Sequence, residues 1–230
     1  MAGLASGLAL KGFHVFIYSI ANFPTFRCAE QIRNDIDYHS LPVTIVSVGS
    51  GLGYGNLGYT HHSLQDYALM RSFPNMTIVS PSDAQEMKCL MPETLKWNGP
   101  IYIRMGKGGD PVISDKNKEF GIGKGVILNP PEKITLIASG IMSAKAIEAA
   151  NILGAKGIPC GVVHFPTIKP IDVEMLLRYP SILYELIFPC YICIDPKVHG
   201  ISIEQRGLAV EVLQLLRSLV KDRYFNEAYT

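Results

Sequence analysis

The 230-residue sequence predicts an α/β protein made of two consecutive open, mostly parallel-sheet domains. Apolar residues alternate between helical and strand-like periodicity along the chain, with short punctuating loops and no strong internal repeat. Between Gly106 and Lys133 the composition shifts to Gly, Pro, Asp and Lys, as expected of a surface connection rather than of core. Together these patterns give a first domain at residues 1–108, a linker at 109–132 and a second domain at 133–230.

Taken in order, Leu4, Leu8 and Leu10 with small residues between them read as the end of a tightly packed helix, entered with no capping residue ahead of Met1. This predicts that further residues belong upstream. A strand at His14–Tyr18 and a helix from about Phe26 to Tyr38 follow. The apolar run Val43–Val48 then opens into a Gly-rich loop, Gly49–Gly58, ahead of a helix at Ser63–Phe73. Thr77–Val79 is a short strand, and Asp83 with Glu86 three residues later marks a helix start that runs to about Trp97. Ile101–Arg104 closes the first domain. In the second, strand Ile134–Ala138, a turn at Ser139–Gly140, a helix to Lys156 and strand Cys160–Phe165 form one βαβ unit. Residues Asp172–Leu177, a strand at Tyr191–Ile194 and a helix from about Ser202 to Lys221 complete a second parallel-sheet layer system.

Composition excludes several classes of function. With 48% hydrophobic and 18% charged residues the chain can bury a sizeable core, which excludes disorder. A formal net charge of +1 offers no basic field for a nucleic acid. No apolar run reaches the roughly 20 residues of a bilayer crossing, and the opening lacks the positive residue of a secretory leader, so a cytoplasmic address is expected. Five cysteines, an odd number among apolar neighbours, read as reduced thiols. Cys190 and Cys193 form a CxxC on a strand-like run, where their side chains face opposite sides, so packing accounts for them better than zinc does.

In an open parallel sheet ligands lie beyond the carboxyl ends of the strands. The run Gly51–His62, with four glycines, two tyrosines and a histidine pair after a buried strand, is the loop to examine. It matches neither GxGxxG nor a phosphate loop, and a plain surface loop remains an alternative. His61 and His62 lack companions at metal-ligand spacing, so no metal is assigned to the chain. Arg104, at the carboxyl end of its strand, could hold a phosphate with its forked guanidinium, and an intrachain ion pair competes on equal terms. Tyr18, Phe23 and Phe26 cluster after the first strand, where core packing competes with a platform for a flat ligand.

The order of several short phrases is distinctive: Tyr18-Ser19, Glu30 to Asp35, Leu41-Pro42-Val43, Gly58-Tyr59-Thr60-His61-His62, Met70 to Met76, Pro81-Ser82-Asp83, Gly99 to Arg104, and Thr167 to Asp172. In this order the sequence resembles the transketolase family over residues 1 to about 215, above all the separate C-terminal subunits of split transketolases and the same region of deoxyxylulose-phosphate synthase. The resemblance implies a pyrimidine-binding domain followed by a transketolase C-terminal domain. It also implies thiamine diphosphate as cofactor, shared with a partner chain that supplies the diphosphate-binding domain and holds Mg. The reaction it implies is transfer of a two-carbon ketol unit between sugar phosphates, within a homo- or hetero-oligomer.

Residue by residue, Tyr18 and Phe23 resemble the aromatics that stack on the cofactor's pyrimidine. His61 resembles the substrate-facing catalytic histidine. Arg104, and less closely Arg27, resemble the arginines that hold the sugar phosphate. Two departures accompany these matches. The family's ring-protonating glutamate lies just before the helix that here opens at Met1, and Glu30-Gln31 belongs to a later helix and does not replace it. Where the C-terminal domain carries Glu-Glu-His and a Gly-rich turn, this chain has Asp195 to Ile201. The expectation is a transferase subunit that is inactive alone, with a non-catalytic partner-binding domain or a deoxyxylulose-phosphate-synthase-like subunit as alternatives.

Overall fold

The structure, a computed structural model, describes residues 1–115, 120–132 and 134–178, together with the backbone of two later strands. In chain order the first part runs α1 (Ala2–Ala9), β1 (Val15–Ile20), α2 (Asn22–Phe26), α3 (Ala29–Gln31, continued by a π-helical segment at Ile32–Asp37) and β2 (Val43–Val48). It continues through a 3-10 turn at Gly55–Leu57, α4 (Asp66–Arg71), β3 (Thr77–Val79), α5 (Ala84–Lys96) and β4 (Ile101–Met105). The second part contains β5 (Val126–Asn129), β6 (Ile134–Ala138), α6 (Met142–Ala155), β7 (Cys160–His164), β8 (Thr167–Lys169), α7 (Val173–Leu177), β9 (Leu183–Phe188) and β10 (Tyr191–Cys193).

Period-two alternation makes each sheet a two-sided wall. In the first sheet, ordered β1-β2-β4-β3-β8, Ile17, Ile45, Ile78 and Tyr102 face one core under α1, the α3–π segment and α4. Val46, Val79, Ile101 and Ile103 face the other, where Leu90 of α5 covers them. The second sheet, ordered β10-β9-β6-β7-β5, buries Ile134, Leu136 and Val162 against the alanine-rich face of α6 and Ile137 and Val163 against Met175 and Leu176 of α7. Both sheets have the expected parallel centre, with β1, β2, β4 and β3 parallel in the first and β7, β6 and β9 in the second.

Strand register sets where the loops begin. Ile20 pairs with Val48, and Val48 with Met105, so β1, β2 and β4 end level with one another. The loops that leave these strands therefore start from one line across the sheet, at its carboxyl edge.

The structure corrects several expected elements. The single helix expected over Phe26–Tyr38 begins earlier, at Asn22, and breaks at Cys28, whose φ of −109° and ψ of 10° leave the helical region. It resumes and widens into a π segment that brings both Ile32 and Ile36 to full burial and seats Asp37 where its carboxylate accepts from the Asn75 backbone N–H at 3.1 Å. The helix expected from Ser63 starts only at Asp66, because Ser63 is held in an antiparallel bridge with Gly51. A strand, β5, stands inside the expected linker, its apolar Val126-Ile127-Leu128 paired antiparallel to β7. Strand β9 adds to the expected elements, and β10 pairs with it antiparallel rather than extending a parallel layer. Strand β8 crosses to the first sheet and pairs antiparallel with β3. The expected helix near 202–221, the turn at 195–201 and Cys190 lie outside the described residues. Among the described residues no helix is long and apolar enough to cross a membrane.

The helix start at Asp83 is as expected, and it does more than cap. Its carboxylate accepts from the backbone N–H groups of Gln85 and Glu86 and, across the chain, from those of Ile113 and Ser114 and from the Ser114 hydroxyl. Burial alone would raise its pKa, but these donors outweigh burial and hold it below the ordinary carboxylate value. A depressed folded-state pKa gives stability that is complete above about pH 4 and is lost as pH falls through the lower folded value. We predict that Asp83→Ala costs about 2 kcal/mol in urea unfolding near neutral pH. We further predict that Asp83→Asn flattens the acid limb of the stability curve relative to the unaltered chain.

Candidate functional site

Three loops meet beyond the level strand ends. After β1 the chain turns directly into α2, carrying Asn22 and Phe23. After β2 it enters the Gly-rich loop, whose base is closed where Gly51 and Ser63 exchange backbone hydrogen bonds, Gly51 N–H to Ser63 O at 3.0 Å and Ser63 N–H to Gly51 O at 2.8 Å. After β4 comes Gly106-Lys107. The Met105 carbonyl accepts from the N–H groups of Gly49 and Ser50, which ties the start of the Gly-rich loop to the end of β4.

Within this frame the rings converge. His61 lies edge-on to Phe23, with centroids 5.5 Å apart and planes at 82°, and edge-on to Tyr54 at 6.0 Å. The Tyr54 ring rests on the backbone of Gly49, whose φ is +85° and where any Cβ would collide with that ring. Burial pushes the Tyr54 phenol up, and the neighbouring Tyr18 hydroxyl adds to the shift, so Tyr54 is a neutral donor near neutral pH. Tyr18 stands 65% exposed at the edge of the sheet. The Lys107 ammonium lies 5.6 Å from the Tyr54 ring centroid and is exposed.

His61 Nδ1 is 3.0 Å from the Thr60 hydroxyl, which leaves Nε2 to face an incoming group. The Asn22 amide donates to the Thr60 carbonyl at 2.6 Å, joining α2 to the loop, and His62 Nε2–H donates to the Gly55 carbonyl at 2.9 Å. Of the histidine pair, His62 thus braces the loop and His61 is the one turned to the rings. A cleft of about 390 Å³ opens alongside, lined by Asn22, Phe23, Phe26, Arg27, Tyr59, Thr60, His62 and Gln65.

With Tyr18 close enough to act on the Tyr54 phenol and Arg27 exposed on the adjoining cleft wall, Phe23 and His61 are brought to one place. Arg104 is not. It is 1% exposed, its Nε donates to Asp66 Oδ2 at 2.6 Å and its Nη2 to the Ser63 carbonyl at 2.8 Å, and its guanidinium carbon lies 4.4 Å from the Tyr67 ring centroid. This corrects the expected phosphate contact: the fork is engaged inside the chain, so the intrachain ion pair is the reading that holds. Asp66, Tyr54 and Lys107 are site residues that the sequence patterns do not single out. A signal for Lys107 exists, since it follows the carboxyl end of a parallel strand by two residues, whereas nothing local marks Asp66 as the partner of a residue 38 positions away.

The exposed aromatic faces beside a glycine-floored loop suit a flat heteroaromatic ring, and the free histidine nitrogen and two exposed cations suit a polar, anionic molecule next to it.

Comparison with known proteins bears on the same region. Residues 1–109 match the family described as transketolase, pyrimidine binding domain, and residues 123–183 match that described as transketolase, C-terminal domain. A subunit of the apulose-4-phosphate transketolase of Phocaeicola vulgatus is 38% identical over 177 residues, which cover 76% of this chain and 57% of the relative. The equivalent subunit from Actinobacillus succinogenes is 33% identical over 213 residues, covering 93% of this chain and 66% of the relative. The chain thus spans between half and two thirds of the length of these relatives. A solved structure described as a split gene transketolase, inactive beta4 tetramer, superposes with a TM-score of 0.74 at 30% identity, over 95% of this chain and 80% of that one.

Tyr54 seated on Gly49 gives a test of the site's geometry. Gly49→Ala should cost about 1–2 kcal/mol for a side chain in the left-handed region and displace the Tyr54 ring toward His61. Chemical denaturation measures the first effect and the His61 ring proton shifts the second; unchanged shifts would show that Gly49 does not set Tyr54.

Proposed function

Because this chain belongs to the transketolase family, we propose that it is the pyrimidine-binding and C-terminal part of a thiamine-diphosphate-dependent transketolase. In this reading it transfers a two-carbon ketol unit between sugar phosphates in a complex with a diphosphate-binding partner chain. The observation that carries the reading is the convergence of Phe23, Tyr54 and His61 beyond the level ends of β1 and β2, with Tyr18 of β1 close enough to act on the Tyr54 phenol.

Thiamine diphosphate, when bound, supplies a nucleophilic carbon able to cleave a ketose beside its carbonyl. This chain's part is binding, orientation and proton handling. Tyr18 and Phe23 offer ring faces to the pyrimidine, and the small residues of the Gly-rich loop allow close approach. His61 Nε2 hydrogen-bonds a sugar hydroxyl and exchanges its proton as that oxygen gains or loses charge. Arg27 and Lys107 hold the substrate phosphate, the role expected of Arg104 from sequence. Mg and the diphosphate are assigned to the partner chain.

Need of a partner is supported by the relatives, which are named as subunits of a larger transketolase, and by the solved relative, described as an inactive beta4 tetramer. The test is a coupled assay for ketol transfer with this chain, a diphosphate-domain chain, thiamine diphosphate and Mg. Transfer is expected only when both chains are present, and His61→Ala should lower kcat by roughly 10²–10⁴-fold. Lys107→Ala should raise KM for phosphorylated sugars by about tenfold or more and leave unphosphorylated sugars little changed. A complex that binds cofactor and transfers nothing would overturn the proposal.

A further inference from the structure

Arg104 is too well held to be packing filler and too deeply buried to meet a substrate. Its two hydrogen-bonding arms point at different parts of the chain. One reaches Asp66 at the start of α4, and the other reaches the Ser63 carbonyl, which also accepts from Gly51 N–H at the base of the Gly-rich loop. The next residue, Met105, accepts from Gly49 and Ser50 through its own carbonyl. The carboxyl end of β4 therefore grips both ends of the loop that carries Tyr54 and His61, one end through a backbone carbonyl and the other through the Arg104 side chain.

The guanidinium is itself fixed in place. Tyr102, two residues earlier on the same face of β4, donates its hydroxyl to the same Asp66 oxygen at 2.8 Å, and Tyr67 supplies a ring beneath the charge. Burial, followed by the Asp66 carboxylate, pushes the Tyr102 hydroxyl well above its ordinary pKa, so it remains a donor throughout the physiological range. A planar fork is suited to bridging two acceptors at fixed angles; an ammonium on a flexible stem is not.

We propose that Arg104 is a positioning residue that sets the height and orientation of His61 over Phe23 and Tyr54 by clamping the Ser63 carbonyl, with Asp66 and Tyr102 fixing the clamp. The proposal rests on the reading of His61 as the substrate-facing group, but its first test does not. Amide exchange at Gly51 and Ser63 and the His61 ring resonances are measured on the chain itself in Arg104→Lys and in the milder Tyr102→Phe, which keeps the ion pair.

Arg104→Lys should lose at least tenfold in protection at Gly51 and Ser63 and shift the His61 ring signals, and Tyr102→Phe should do the same to a lesser degree. Protection and shifts equal to those of the unaltered chain in either folded variant would overturn the clamp. The second test is kinetic, in the two-chain complex. Positioning predicts that Arg104→Lys lowers kcat at least tenfold for phosphorylated and unphosphorylated sugars alike, with KM within about twofold. A rise in KM confined to phosphorylated sugars would instead mark a phosphate ligand and overturn the proposal. If the unaltered complex shows no transfer at all, the functional reading fails while the exchange measurement still decides the clamp.

Discussion

The ion pair between Arg104 and Asp66 is the interaction on which the rest of the site depends. Taking a guanidinium and a carboxylate out of water costs several kcal/mol for each ion, and a single contact between them does not offset that. Here the compensation is distributed: Asp66 Oδ2 receives two donors, Arg104 has a second acceptor in Ser63, and Tyr67 covers the charge. These partners come from three local elements, so the pair is satisfied only when β4, α4 and the end of the Gly-rich loop are all in place. Charge burial thus makes the loop's conformation part of the cooperative fold rather than a property of the loop.

The same frame reaches into the second part of the chain. Tyr67 faces the hydroxyls of Ser80 and Ser139. The Ser80 backbone N–H donates to the Pro166 carbonyl at 2.7 Å, and the Gly140 N–H donates to the Ser80 carbonyl at 3.1 Å. Nearby, His164 of β7 lies with Nε2 3.0 Å from Glu86 of α5 and Nδ1 2.7 Å from the Ser143 hydroxyl. Glu86 Oε2 also accepts from the Ser82 N–H, so the residue that marks a helix start in the sequence holds the second sheet against the first.

Legibility in the sequence follows the range of the interaction. Buried strands such as Val43–Val48 and Ile134–Ala138 declare themselves by continuous apolar runs, and Asp83 with Glu86 by local capping chemistry. The level ends of β1, β2 and β4 make Phe23 and His61 neighbours, a juxtaposition that periodicity could not indicate. What stays hidden is set by distant partners. Arg104 looks the same in sequence whether it ends facing solvent or Asp66, and nothing local marks the π segment at Ile32–Asp37, since Ile32 and Ile36, four residues apart, share a face in an ordinary α-helix as well. Strand β5 is obscured by the polar residues around a short apolar run, and β8 by its length of three residues.

That short strand changes what the boundary between the two sheets means. Thr167 and Lys169 pair with Val79 and Ile78, so the first sheet is finished by residues that come long after its own helices and strands. A crossover between related genes within the linker would join halves that had not adapted to each other at this seam. A fragment ending there would leave the backbone of β3 bare, a ready template for strands of other molecules. Exchanging the two halves as interchangeable modules would therefore put the closure of the first sheet at risk, because its edge is completed by a strand that belongs to the other half.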